Sequence, residues 1–528
     1  MLDDLWMLFR FTRGLVPFLT ELQDAQGASE ILAEGRARRV ENFLALLRRA
    51  VFEYPARPYS RLFHHAGFDF GKTERLVLQL GIEAALERLL DAGVYLTLDE
   101  FKGRVPIRRG GVEIAATASD FDNPLLKRDF EAATSGSTGT RRRLLIDLDL
   151  LRFEAALQAV FIGGAGMAGM PMGIWRPVPP GTAGIKRALS QLRYGERLER
   201  WFTMEPFSLV RPRTKSWAVT AAALGASRLA GRPLPVPEFV PLENAIVVAE
   251  WMASVLRRGE RPYLDASSSA AVRVIQAARA AGFNLRGSFV RVGSEPFTPA
   301  RAALFEAAGC GTGSNYSISE TGVVAIACSR PAAPDDAHLI DAKIAILQRE
   351  GVPLVRAQHG TVPIFLTTLL TSTPKLLINV ESGDFADRSE RRCGCVFDRL
   401  GFTTHLQNIR SYEKLTTEGM HFTGSTLLRI VEEVLPARFG GDPTDYQLAE
   451  AEVEGNRVVR IRMHPRLGDV AEEEVVGAVL SSLAAEGAGD RMMADIWRQA
   501  KTLRLERRPP EVSAAGKVPA VVQARDAG

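Results

Sequence analysis

Ala133-Thr134-Ser135-Gly136-Ser137-Thr138-Gly139-Thr140-Arg141-Arg142, running into the apolar stretch Leu144-Leu145-Ile146, is the segment on which the reading of this 528-residue chain turns. Its glycines let the backbone turn tightly enough for successive N–H groups to converge on phosphate oxygens, and the hydroxyls add donors. No Gly-Lys-[Ser/Thr] closes it, so it is not a Walker loop. Taken alone, the same composition also suits a flexible Ser/Gly turn. On either side, from Glu131 to Asp398, helical segments alternate with short apolar strands. Ala270–Ala281, Ser288–Val292 and Pro299–Ala308 are one helix–strand–helix example, and the alternation predicts an α/β core.

The residues before this core read as helical, with apolar spacing over Val40–Val51 and Leu76–Leu90. Met1–Thr20 mixes apolar residues with Asp3, Asp4, Arg10 and Arg13 and lacks the order of a secretory signal, which predicts a docking amphipathic helix. Val160–Trp175 is shorter than the ~20 apolar residues of a membrane span. Past Arg410 the pattern changes. A helix over Ser425–Leu435, a hairpin of Tyr446–Val453 and Arg457–Met463 around Glu454-Gly455-Asn456, a helix over Val470–Leu483 and a strand over Thr502–Leu505 predict a separate α+β domain. Pro509–Gly528 reads as loop.

Lys and Arg number 66 against 62 Asp and Glu, a formal charge of +4. So small an excess does not predict a nucleic-acid partner. The runs at Arg141–Arg143 and Arg388–Arg392 read as solvated faces. Four cysteines are too few for a disulfide scaffold and are expected as thiols or metal ligands in a cytoplasmic protein.

Five further segments carry chemistry. Val292-Gly293-Ser294-Glu295-Pro296-Phe297-Thr298 follows a predicted strand, and Asn315-Tyr316-Ser317-Ile318-Ser319-Glu320-Thr321-Gly322 comes about 20 residues later. Glu381-Ser382-Gly383-Asp384-Phe385 and Ile409-Arg410-Ser411-Tyr412-Glu413 follow, and Ser513-Ala514-Ala515-Gly516-Lys517-Val518 stands near the end. Read singly, they are a strand running into a helix cap at Thr298, a surface Glu, a Gly-Asp turn and a lysine in a loose tail.

In this order and at about this spacing they resemble the adenylate-forming superfamily, most nearly its phenylacetate–CoA ligase branch. Arg141 and Arg142 stand where the family commonly has Pro-Lys, Ser317 where it often has Gly, and Ile409 and Glu413 where it has Gly and Asp. The resemblance implies a large multi-layer α/β domain, with 1–130 its helical part and 131–411 its nucleotide-binding core. A small, mobile α+β lid over 412–528 would follow.

It further implies that Thr134, Ser135, Gly136, Ser137, Thr138, Gly139 and Thr140 hold the ATP phosphates. Gly293, Ser294, Glu295, Pro296, Asn315 and Tyr316 would lie at the adenine, with Ser319 facing the α-phosphate. Glu320 would bind Mg²⁺, Asp384 and Arg410 the ribose, and Lys517 would bridge the incoming carboxylate and the α-phosphate, where negative charge builds in the transition state. A hard divalent ion wants carboxylate oxygen, which is why a glutamate fits that place.

The implied activity is ATP-dependent activation of a carboxylic acid as acyl-AMP, releasing pyrophosphate, then transfer to coenzyme A. Delivery to a carrier-protein thiol or an amine is the alternative, and a catalytically silent nucleotide-binding protein is the second. Cys328, His338, Cys393 and Cys395 are the donor types of a closed zinc site, though the spacing is that of no standard finger and fits unrelated core thiols as well. Several phenylacetate–CoA-ligase-like proteins carry Cys, His and Cys-x-Cys in this order, which implies a structural Zn²⁺. Cys310 is expected to be a small buried residue.

Overall fold

The computed structural model describes all residues except 1, 22–23, 127–129, 134–142, 180, 208–214, 350–361, 412–413, 418–419, 424–426, 428, 486–487, 512–517, 519–520 and 524–528. The amino-terminal helix Leu2–Thr20 docks as its patterning predicts, with Phe11, Leu15, Phe18 and Leu19 fully buried. The apolar run at Leu76–Leu90 folds as two helices, Phe70–Leu80 and Ile82–Asp91. Gly81 separates them at φ 81°, a left-handed conformation that no continuing helix contains. No helix among the described residues is long and apolar enough to cross a membrane.

Twelve described strands form one sheet. Its parallel part runs from Gly311–Ile318 through Phe289–Gly293, Tyr263–Ala266, Met172–Trp175 and Leu198–Thr203 to Glu238–Phe239. Met172–Trp175 and Tyr263–Ala266 are buried at every position, as strands covered on both faces must be. The helices Leu148–Gly164, Ala183–Arg193 and Ser268–Ala280 provide that cover, alternating with the strands along the chain. Beyond Gly311–Ile318 the sheet turns antiparallel, through Gly322–Ala327, Ala337–Leu339, Thr404–Ser411 and Val380–Glu390. The junction of the two halves therefore falls at residues 318–322.

The carboxyl-terminal part has its own sheet, ordered Leu503–Arg507, Asn456–Met463, Tyr446–Val453, Val521–Gln523. The hairpin lies where the sequence predicts it. Several elements differ from expectation, among them a short hairpin of Lys414–Thr417 and Met420–Thr423. Helix Ala488–Ala500 was not read from the sequence, and Val521–Gln523 pairs parallel with Tyr446–Val453 where a loop was expected. Glu472–Ala484 is the helix predicted over 470–483. The hairpin tip docks on the large α/β part. Arg301 Nε donates to Gly455 O at 2.9 Å, Gln276 Nε2 donates to Glu454 O at 3.0 Å, and Val272 belongs to the same buried cluster as Leu448, Met463 and Trp497.

Candidate active site

The predicted phosphate loop, Thr134–Thr140 with Arg141 and Arg142, lies outside the described residues, as do Tyr412, Glu413 and Lys517. Strands Phe130–Ala133 and Arg143–Ile146 pair antiparallel on either side of that loop, with Ala133 opposite Arg143, so its two ends are held together.

The other motifs converge at the junction of the sheet. Tyr316, near the end of its strand, donates its hydroxyl to Asp384 Oδ2 at 2.8 Å, a bond between residues 68 apart in sequence. Both are buried. Burial, with the Asp384 carboxylate beside it, pushes the Tyr316 phenol well above its ordinary range, so it stays a donor. Arg410 lies on the strand beside Asp384, where Phe385 pairs with Arg410 and Asp384 with Ser411. Asp335 holds that strand. Its carboxylate accepts from the Asn408 and Ile409 amides at 3.1 Å and from Arg410 Nη1 at 3.3 Å. Burial lowers the Arg410 guanidinium from its usual range, with Asp335 opposing the shift.

Ser319 and Glu320 form the turn between Gly311–Ile318 and Gly322–Ala327. Ser319 is exposed, and the Glu320 carboxylate is ion-paired with Lys102, just beyond the short helix Leu98–Phe101. That helix is tied to the Asp384 strand. Leu98 N donates to Glu381 Oε2 at 3.3 Å, and Leu96 bridges to Val380. Gly322 takes φ 81°, a conformation that side-chain-bearing residues rarely adopt, and a Cβ there would displace the Glu154 carboxylate. The Glu154 carboxylate also accepts from Val323 N at 2.8 Å and from the buried Lys343 at 2.7 Å.

Gly293-Ser294-Glu295-Pro296 leaves its strand with Ser294 at φ 69°, uncommon for a non-glycine. Ser294 Oγ accepts from Arg176 Nη1 at 2.9 Å. The Glu295 carboxylate faces Arg301, at 3.0 Å, and Ser269. Asn315 Oδ1 accepts from Ala327 N at 3.0 Å, a strand-bracing bond.

Under these segments is a buried charge cluster that motif reading did not single out. Asp265 pairs with Arg176 at 2.8 Å, with Arg291 and, at 3.2 Å, with Arg187. Burial alone would raise the Asp265 carboxyl, but Arg291, Arg176 and Arg187 outweigh it and hold the group well below the usual carboxylate range. The signal available in the sequence was a charge inside an otherwise apolar strand, as in Phe289-Val290-Arg291-Val292.

The four predicted metal donors come together. The Sγ atoms of Cys328, Cys393 and Cys395 and a ring nitrogen of His338 lie within 4.8 Å of one another. His338 Nε2 is 3.0 Å from Cys395 Sγ and 3.6 Å from Cys393 Sγ, while Nδ1 lies 2.7 Å from Phe402 O. A carbonyl at Nδ1 fixes the proton there and leaves Nε2 as the ligand atom. The Arg330 amide at 3.3 Å from Cys328 Sγ and the Cys395 amide at 3.4 Å from Cys393 Sγ supply donors suited to thiolates. The donor set fits a tetrahedral dication. Cys310 is separate and buried, and burial pushes its thiol up to about 12.

No family model and no curated protein matches the chain. Solved structures do. The crystal structure of 2-hydroxyisobutyryl-CoA ligase with 2-HIB-AMP and CoA in the thioesterification state is 15% identical, with TM-score 0.51 over 94% of this chain and 90% of that one. An open conformation of the same ligase gives 14% identity and TM-score 0.40 over 88% and 90%, respectively. An acyl-CoA synthetase (AMP-forming)/AMP-acid ligase II-like protein from Dyadobacter fermentans gives 12% and 0.30 over 74% and 87%. The chain shares the fold of 2-hydroxyisobutyryl-CoA ligase.

Proposed function

We propose that this protein activates a carboxylic acid with ATP and passes the acyl group to a thiol, coenzyme A first. The observation that carries the reading is the meeting of Tyr316 and Asp384 beside Arg410 and the Glu320 turn, since three separate motifs with one shared nucleotide reading come together at one sheet junction. A carboxylate oxygen of the acid attacks the α-phosphorus, the bond to pyrophosphate breaks, and acyl-AMP remains. The thiol then attacks the acyl carbon and AMP leaves.

In this reading Asp384 accepts from the ribose hydroxyls and Arg410 contacts the same sugar. Tyr316 flanks the adenine next to Gly293-Ser294-Glu295-Pro296, Asn315 braces that wall, and Thr134–Thr140 takes the phosphates. Ser319 and Lys517 meet the α-phosphate. Mg²⁺ would be held by Glu320 after Lys102 leaves it, and would neutralise phosphate charge. The part from 412 onward acts as a lid turning near Arg410–Glu413, withdrawing Lys517 before the thiol arrives. Zn²⁺ on Cys328, His338, Cys393 and Cys395 would brace the strands behind Glu320 and Asp384 without touching the reaction.

ATP–pyrophosphate exchange over a panel of acids, with hydroxylamine trapping, tests the first step. Lys517→Ala is expected to lose exchange while retaining ATP binding, and exchange at the wild-type rate in that variant refutes the assignment. Coenzyme A added to preformed adenylate decides the acceptor. If no thioester forms, a carrier-protein thiol or an amine takes its place.

A further inference from the structure

The cluster around Asp265 is out of balance. Arg176, Arg187 and Arg291 bring three positive charges to one carboxylate, leaving two uncompensated. All four side chains are buried. Arg176 is satisfied, donating also to Ser294 Oγ at 2.9 Å and to Ala266 O at 2.7 Å, and Arg291 completes its set on Gln158. Arg187 is not. It is 5% exposed and bonds Tyr263 Oη through Nη2; its Nε lies 3.2 Å from Asp265 Oδ2 but out of hydrogen-bond alignment, and its Nη1 has no acceptor. A neighbouring acceptor, Gln191 Oε1 on the same helix, is equally unpartnered.

Burying a cation without an anion costs several kcal/mol, and orphaned guanidinium donors add to that. A chain that retains such a group has a use for the charge. Position suggests which one. Arg176 follows strand Met172–Trp175, and Asp265 and Arg291 lie toward the carboxyl ends of the neighbouring parallel strands, the end at which open α/β sheets bind ligands. The cluster touches the proposed nucleotide wall through Ser294. Gln158, which receives Arg291, stands one helical turn after Glu154, which in turn holds the amide after the Ser319–Gly322 turn. An acid whose reacting carboxylate sits at that turn would direct its far end here.

We infer that this cluster is the subsite for the distal end of the acid, and that it selects acids carrying a second anionic group, carboxylate or phosphate. The inference rests on the acid-activation reading above. The anion would complete Arg187 and offset the excess charge of Arg176 and Arg291.

The test uses the full chain in ATP–pyrophosphate exchange with length-matched acids: an α,ω-dicarboxylate series, the corresponding monomethyl esters, and acids with a terminal phosphate. The dicarboxylate or phosphorylated arm is expected to exceed the esters about 10- to 100-fold in kcat/KM, the scale of a charge-assisted hydrogen-bonded pair. In Arg187→Met that ratio is expected to fall towards one. Should that variant fold poorly, the wild-type comparison still decides. Equal use of free and esterified acids overturns the inference.

Thermal shift without ATP separates the two readings. A diacid that raises Tm in wild type but not in Arg187→Met, with no exchange for any acid, keeps the anion subsite and removes the activation reading. Chloride or inorganic phosphate matching the diacid, with no kinetic preference, identifies a structural anion and overturns the assigned substrate class.

Discussion

Two buried arginine–carboxylate groups, one centred on Asp265 in strand Tyr263–Ala266 and one on Glu295 just past the neighbouring strand Phe289–Gly293, obey opposite rules. Around Glu295, one arginine is fully placed. Arg301 donates through Nε to Gly455 O, through Nη1 to Glu295 and through Nη2 to Ser269 Oγ, with Glu452 at 3.8 Å. Around Asp265, three arginines share one carboxylate and one of them keeps unpartnered donors. The first group joins the carboxyl-terminal hairpin to the large α/β part. The second has capacity left for a ligand. Charge balance and donor satisfaction, more than burial, separate a structural pair from a binding site.

The sharpest way to break that distinction is to remove one arginine from each. Arg301→Met leaves Glu295 buried without a cation and is expected to cost about 3–5 kcal/mol. Arg187→Met leaves Asp265 with Arg176 and Arg291, relieves repulsion from Arg291, and is expected to change stability by less than about 1 kcal/mol. Denaturant unfolding of the two variants measures both. Equal losses would mean that the Asp265 cluster is as structural as the other.

The contrast also explains what could be read in advance. Tyr316, Asp384 and the Cys328–His338–Cys393–Cys395 set were recoverable because short local patterns mark them, and chain order then groups them. Arg176 and Arg291 are 115 residues apart with no motif between them, so only the pairing of their strands with Tyr263–Ala266 brings them to Asp265. Lys102 was invisible for the same reason, as one lysine beyond a four-residue helix whose position is set by long-range bonds to the Asp384 strand. Strand Val521–Gln523 is three residues long and exists through its partner. Helix Ala488–Ala500, by contrast, carries its signal locally in Met492, Met493, Ile496, Trp497 and Ala500, a one-sided apolar face at helical spacing.

A third cluster extends the comparison from arginines to sulfur. Three thiols and one imidazole facing inward suit a dication. Purified protein is expected to carry about one zinc per chain. Bound zinc adds about 2.7 kcal/mol when free metal is a hundredfold above its dissociation constant. Chelation or Cys395→Ser is expected to lower Tm accordingly. Less than about 0.2 zinc per chain, with unchanged folding in chelator, would sink the assignment.

A fourth case reverses the charge. Glu205 Oε1 has no hydrogen-bond partner, and the negative charge of Asp495 on helix Ala488–Ala500 acts on the carboxyl. Burial, then Asp495, pushes its carboxyl up to about 8. A carboxyl raised in the folded state binds its proton more tightly there than in the unfolded chain. Stability is therefore lost as pH rises from the unfolded value of about 4.5, and the loss is complete above about 8. Glu205→Gln is expected to melt with wild type at pH 4 and higher at pH 8, the gap reaching about 1–3 kcal/mol. A gap of constant size across that range would place the effect in packing instead.

The smallest expected effect concerns Lys102, whose pair with Glu320 occupies the carboxylate proposed above for Mg²⁺. Both side chains are partly exposed, at 29% and 20%, so the pair contributes about 0.5–1 kcal/mol. If Mg²⁺ takes Glu320 only after Lys102 leaves, removing the lysine removes that competition. Lys102→Met is expected to lower the half-saturating Mg²⁺ in pyrophosphate exchange about two- to fivefold. A lysine that instead swings onto the phosphates gives the opposite sign, since its loss raises the requirement for Mg²⁺ and for ATP together. The direction of the shift therefore decides whether the pair is a competitor for the metal carboxylate or a reserve cation for the nucleotide.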